Sequence, residues 1–157
     1  MPHPSKILII EPEGVHHSAI AFCGQFLGGA QPRYVFGCNE WGRSIAQQVD
    51  IDGFIDDVIQ ERRFCNKPVL RSVEAPKESM VVSAVVGGRP LTALSRIRER
   101  GWTGLDYFAF QKHSSLPLDD VLFLGDFESD FLANREHYDW LFRRLKDAES
   151  RRILSQL

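Results

Sequence analysis

The sequence predicts an α/β fold: a Rossmann-like parallel sheet with flanking helices, followed by a C-terminal helical extension. Three observations lead there. Between residues 33 and 110 short β-prone runs alternate with amphipathic helical segments, the pattern of a parallel sheet with helical crossovers. Met80-Val81-Val82-Ser83-Ala84-Val85-Val86 is almost wholly apolar, as a strand covered on both faces must be. Gly37-Cys38-Asn39-Glu40-Trp41-Gly42 stands where a strand would turn into a helix. The expected division is an α/β domain over 1–125, with a strand and helix lead-in over 1–32, and a helical extension or linker over 126–157.

In chain order, Val15–Gly28 carries apolar side chains at 19, 20, 22, 23, 26 and 27, a helical spacing that Gly28-Gly29 can stop. Arg33–Gly37 is a short strand ending in glycine, and 40–49 is a helix with Trp41, Ile45, Ala46 and Val49 on one side. Gly53–Asp57 is a second strand closed by two acids. Arg62–Pro76 is turn-rich, with Pro68-Val69-Leu70 extended. After Met80–Val86, Gly87-Gly88-Arg89-Pro90 breaks the strand, and Pro90 suits the first turn of a helix running to Gly101. Leu105–Phe110 reads as a further strand. Crossovers of such a sheet are right-handed. From Ser129 to Leu145 the apolar positions describe one long amphipathic helix, with Asp126 or Ser129 as N-cap. Asp147–Ser150 restarts a second helix, placing Ile153, Leu154 and Leu157 on one face. Such a stripe calls for a covering surface.

Composition narrows the function classes. Of the 157 residues 43% are hydrophobic and 25% charged, which is globular rather than disordered. A net charge of −2 gives no reason to expect nucleic acid or an anionic membrane as partner. No apolar run approaches the roughly 20 residues of a membrane span. Ile7-Leu8-Ile9-Ile10 is shorter than the roughly 7–15 apolar residues of an export signal, so a cytoplasmic protein is expected. Cys23, Cys38 and Cys65 form no C-x-x-C pair and read as small buried hydrophobes in a reducing compartment. His16, His17, His113 and His137 show no metal-ligand spacing. Asp126, Glu128 and Asp130 alternate as a calcium loop begins, but Phe131 stands where that loop needs glycine. No metal is expected. Arg96, Arg98 and Arg100, interleaved with Glu99, read as a solvated helix face, and no serine has a hydrolase-elbow setting.

Chemistry is expected at the strand ends. Gly37, Asn39 and Gly42 occupy the three positions of the G-x-G-x-x-G dinucleotide fingerprint. In that motif the first glycine makes the turn, the second admits a pyrophosphate and the third lets the helix pack closely. Asn39 fills the middle position, where its side chain crowds the approach but can donate a hydrogen bond. Glu40 disfavours a phosphate, though it suits a helix N-terminus. Asp56 follows Gly37 by 19 residues, near the distance at which an acid binds a ribose. Asp57 beside it points elsewhere but shares the strand end. Gly87, Gly88 and Arg89 follow the strongest strand, and Arg89 can supply phosphate charge. Strand carboxyl ends are where open α/β sheets bind ligands. The expected contacts are therefore Gly37, Asn39, Trp41 and Gly42 at the phosphate, Asp56 at the ribose, and Gly87 with Arg89 opposite, with Glu40, Asp57 and Gly88 counted among the ligand-binding residues beside them. The competing reading makes these glycines turn residues and the acids caps.

The segments Tyr34–Arg43, Gly53–Asp57 and Pro68–Leu70 resemble the small Rossmann-like domain that precedes FkbM-type methyltransferases. They are also similar to the nucleotide-sugar-binding module that begins certain sugar O-acyltransferases. Glu136–Arg152 resembles the helical linker of the FkbM group. The resemblance spans roughly residues 33 to 157. In that family the middle loop position is usually glycine, and the catalytic domain begins about where this chain ends. It implies an N-terminal accessory domain, a truncated piece of such a protein, or a stand-alone relative; the favoured expectation is a non-catalytic accessory domain that binds a nucleotide or nucleotide sugar, with a role near glycan biosynthesis. One alternative is an S-adenosylmethionine-dependent methyltransferase fragment or subunit, with that cofactor on the Gly37 loop. Another is a structural domain with an empty crevice, whose C-terminal helices form a homodimer or dock a methyltransferase domain.

Overall fold

The β-prone runs assemble outward from a central strand, β1 (Arg33–Phe36). It pairs in parallel with β2 (Gly53–Ile55) on one side and with β5 (Met80–Ser83) on the other. Two further parallel neighbours extend the sheet, β4 (Lys67–Leu70) beside β2 and β6 (Thr103–Asp106) beside β5. A two-residue strand, β3 (Arg63–Phe64), closes the β4 edge in antiparallel register. The order is β3-β4-β2-β1-β5-β6. The chain thus steps outward from β1 to β4, then returns across β1 to start β5, the strand order of a Rossmann-like sheet. This computed structural model describes residues 13–121 and 127–154. Gly14–Asp120 form one compact unit, and the described residues from Val121 on belong to a second.

Alternation of side chains gives each sheet face its own cover. On one face Tyr34, Ile55 and Val81 pack with Trp102 and with Ile97 of α3 (Pro90–Glu99). Complete burial of Ile97 contributes about 1.5–3 kcal/mol. Gly104 makes the approach possible, since a Cβ there would lie 2.4 Å from Ile97 Cγ2. The opposite face carries Val35 and Phe54, over which Gly42 seats α2 (Glu40–Gln48). α1 (Glu13–Gly28) buries Ala19, Phe22, Cys23 and Phe26, while Ile20 and Leu27 stay exposed. Phe26 meets Phe110 edge-on with ring centroids 5.2 Å apart.

Two expected elements differ. Leu105–Phe110 is not a continuous strand: pairing ends at Asp106, and α4 (Tyr107–Ser114) begins at the next residue. The Asp106 carboxylate accepts the Ala109 N–H at 2.9 Å, an N-cap that converts the aromatic run into a helix burying Tyr107 and Phe110. The strand expected over Met80–Val86 stops pairing at Ser83, and the buried Ala84 and Val86 continue as a loop.

In the second unit the single helix expected over Ser129–Leu145 is two, α5 (Phe127–Ala133) and α6 (Arg135–Arg144). Asn134 interrupts them, its side-chain amide donating to Asp130 Oδ1 at 2.9 Å. Asparagine competes with the helix ladder in this way. Ser129 lies inside α5 rather than capping it, and Asp126 lies outside the described residues. Phe131 and Phe142 form a small core against Tyr138 and Leu154. α7 (Ala148–Leu154) starts where the Asp147 carboxylate accepts the Ser150 N–H at 2.7 Å. The Ile7–Ile10 lead-in and Leu157 lie outside the described residues. No described helix is long and apolar enough to cross a membrane.

Candidate ligand-binding crevice

The turn from β1 into α2 is built as a closed structure. Gly37 adopts φ +107°, a conformation that favours glycine, and its N–H donates to the Ile55 carbonyl at 2.9 Å. Asn39 is the N-cap of α2: its Oδ1 accepts the Gly42 N–H at 2.9 Å, while its Nδ2 donates to the Ala84 carbonyl at 2.9 Å. One side chain therefore caps the helix and ties the β1 turn to the segment after β5. Glu40 follows in the first turn of α2, where a carboxylate suits the helix dipole. Gly42 keeps the third fingerprint role, since a Cβ there would lie 2.6 Å from the Gly37 carbonyl oxygen and 3.2 Å from Phe54.

The acids after β2 also hold loops. Asp56 Oδ2 accepts the Cys38 N–H at 3.0 Å, and Oδ1 accepts those of Val58 and Ile59 at 2.9 and 3.2 Å. Asp57 accepts the N–H and the hydroxyl of Ser72 at 2.8 and 2.5 Å. Burial opposes ionisation of Asp57, but these two donors outweigh it, with Arg100 and Arg71 adding attraction, and its carboxyl lies below the ordinary value. Arg71 donates to the Asp56 carbonyl, while its own N–H and Arg62 both reach Glu74. The β2 and β4 carboxyl ends are thereby joined.

Between these loops and α3 lies a crevice of about 280 Å³. Phe36 and Gly37 enter it from the end of β1, and Ile55, Asp56, Asp57 and Val58 from the end of β2. Val85 enters after β5, Arg89 from the N-cap of α3, and Thr92, Ala93 and Arg96 from α3 itself. The location is the carboxyl rim beside the β1–β5 reversal, where sheets of this order bind ligands. The structure thus brings together Gly37, Asp56, Asp57 and Arg89. Asp57 lines the crevice beside Asp56, with its carboxylate bonded to Ser72. Asn39, Glu40, Trp41, Gly42, Gly87 and Gly88 do not line it. Gly88 serves the turn into α3 at φ +72°.

Sequence reasoning did not find Phe36, Ile55, Val58, Val85, Thr92, Ala93 or Arg96. Thr92 and Arg96 are legible as one helix face, four positions apart, with Arg89 at the N-cap ahead of them. Neither the Arg89 nor the Arg96 guanidinium has a hydrogen bond or ion pair to another described residue.

The cysteines depart from their expected uniform burial. Cys23 is buried, Cys38 half-buried and Cys65 exposed. Cys65 and Asn66 form the β3–β4 turn, both with positive φ. Burial pushes the Cys23 thiol up to about 11. Burial, reinforced by Asp56, Cys65 and Glu61, pushes Cys38 up to about 12. No group of three or more metal-ligating side chains occurs among the described residues.

No family model, curated protein or solved structure matches the chain. The fold itself defines the class: a Rossmann-like α/β domain with a mostly parallel six-stranded sheet.

Proposed function

We propose that this protein is a non-catalytic binding domain for a nucleotide or nucleotide sugar, working beside an FkbM-type methyltransferase in glycan assembly. The observation that carries the reading is the crevice at the β1–β5 reversal, with an apolar floor and both acidic and basic walls. Its volume of about 280 Å³ is near the lower end of the roughly 300–1,000 Å³ typical of ligand pockets. That size suits one nucleotide moiety, with any sugar extending from the mouth. An ionised carboxylate has about four acceptor sites; Asp56 gives three to backbone N–H groups and keeps capacity for a ribose hydroxyl. Commitment of both acids to loop hydrogen bonds supports a binding rather than a catalytic role. The methyltransferase association rests on the resemblance of the Tyr34–Arg43 and Glu136–Arg152 segments.

Thermal unfolding with nucleotides, nucleotide sugars, NAD and S-adenosylmethionine tests it. A ligand at 100 times its Kd adds about 2.7 kcal/mol of stability. A rise in melting temperature with a nucleotide or nucleotide sugar is expected. A rise with S-adenosylmethionine alone would favour the methyltransferase alternative, and no rise with any of them would remove the reading.

A second reading is favoured by exposed apolar side chains in the C-terminal unit, Leu132, Trp140, Leu141 and Ile153. Here the helices pair with a second copy of the chain. Light scattering would then give a dimer that Leu141→Asp converts to monomer.

A further inference from the structure

We infer that the crevice takes a mononucleotide whose phosphate lies against Arg89 and Arg96 at α3, not at the Gly37–Gly42 turn. The inference rests on the nucleotide-binding reading above and assigns the ligand's polarity and size. A glycine turn binds phosphate through unoccupied backbone N–H groups. Here three of those groups are already taken within the protein: Gly37 donates to Ile55, Cys38 to Asp56 and Gly42 to Asn39. The two acids that reach the crevice, Asp56 and Asp57, are likewise bound to loop donors.

The α3 wall has the opposite character. Arg89 is the N-cap of α3 and Arg96 lies in its last turn, with Thr92 between them in sequence, and all three line the crevice. Both guanidinium groups lack a protein partner among the described residues. Two planar cations with a hydroxyl between them match the oxygens of a phosphate through charge-assisted hydrogen bonds. Across from them Phe36, Ile55, Val58 and Val85 supply an apolar surface. Val58 is 82% exposed, so a flat base at the mouth would cover a side chain that water now surrounds. The volume of about 280 Å³ encloses one nucleotide moiety, so the second nucleoside of NAD would lie outside the crevice and add no enclosed contact. Ribose 5-phosphate shares the phosphate chemistry but has nothing to lay on the apolar side.

Isothermal titration of the full chain with the four 5′-mononucleotides, their nucleosides, ribose 5-phosphate, UDP-glucose and NAD tests the inference. At least one mononucleotide should bind, at least tenfold tighter than its nucleoside and than ribose 5-phosphate. Its affinity should fall with added salt, as for any phosphate held by exposed arginines. The Arg89→Gln/Arg96→Gln variant should lose at least tenfold in affinity while its circular dichroism and melting temperature match the parent. Mononucleotide binding that is indifferent to salt and to this variant overturns the arginine assignment and leaves the nucleotide reading standing. Tighter binding of ribose 5-phosphate or NAD than of any mononucleotide overturns the ligand class. Absence of binding by the whole panel overturns both the inference and the reading beneath it.

Discussion

The carboxylate of Asp56 accepts the backbone N–H of Cys38 at 3.0 Å, so the acid at the end of β2 closes the glycine turn at the end of β1. Its other oxygen serves Val58 and Ile59. Removing an acceptor forfeits the net worth of its hydrogen bonds, about 0.5–1.5 kcal/mol for an ordinary one. These donors are part-buried or exposed, so Asp56→Ala should lower stability by about 0.5–1.5 kcal/mol, even without ligand, as read from urea unfolding. An unchanged midpoint would contradict the structural role given to this acid.

Asn39 does two jobs with one amide, capping α2 and bonding the Ala84 carbonyl. Loss of an N-cap side chain costs about 0.5–2 kcal/mol. Asn39→Ala should fall in that range and should leave mononucleotide affinity within about twofold, because the phosphate is assigned to the other wall. Titration calorimetry on the variant checks the second half of the statement.

Two glycines should respond to alanine in opposite directions. At Gly42 the new methyl would meet the Gly37 carbonyl at 2.6 Å, a backbone atom with little room to yield. Overpacking of this kind costs about 1–3 kcal/mol. Gly24 lies within α1 with nothing inside 4 Å of its added Cβ, so Gly24→Ala should stabilise by about 0.5–1 kcal/mol. Paired urea melts of the two variants give the comparison.

The Asp57 carboxyl should make stability depend on pH. Burial pushes its pKa up, but the Ser72 donors outweigh this and the folded-state value lies below the ordinary one. The folded protein then binds that proton less readily than the unfolded chain. The resulting stability is present above the unfolded value of about 3.9 and is lost as pH falls through the lower folded value. Asp57→Asn should be less stable than the parent at neutral pH, with the gap narrowing below about pH 3.9. A gap that stayed constant to low pH would contradict the assignment.

The alternation of strands and helices was legible because each strand of the parallel sheet is a short apolar run bounded by turn residues. The aromatic run after Leu105 misled for a local reason. Tyr107, Phe108 and Phe110 favour strands, yet Asp106 caps a helix and tertiary burial of Tyr107 and Phe110 decides the outcome. Asn134 is a similar case, its interruption of the C-terminal helix set by one side-chain bond to Asp130. At the crevice, Gly37, Asp56, Asp57 and Arg89 were visible because strand ends announce themselves. Arg96 was hidden by its charged neighbours, which look like an ordinary solvated helix face. The closure of the turn by Asn39 was also out of reach, since its partner Ala84 is 45 residues away.

Amide chemical-shift mapping of the isotope-labelled protein during titration with 5′-mononucleotides locates the ligand on the sheet's carboxyl rim or away from it. The largest shifts should fall at Phe36–Gly37, Asp56–Val58 and Arg89–Ala93, together with the Arg89 and Arg96 side-chain Nε signals. Saturating nucleotide that leaves those signals in place, or that moves only residues at the opposite end of the sheet such as Gly29 and Arg33, would contradict the crevice assignment.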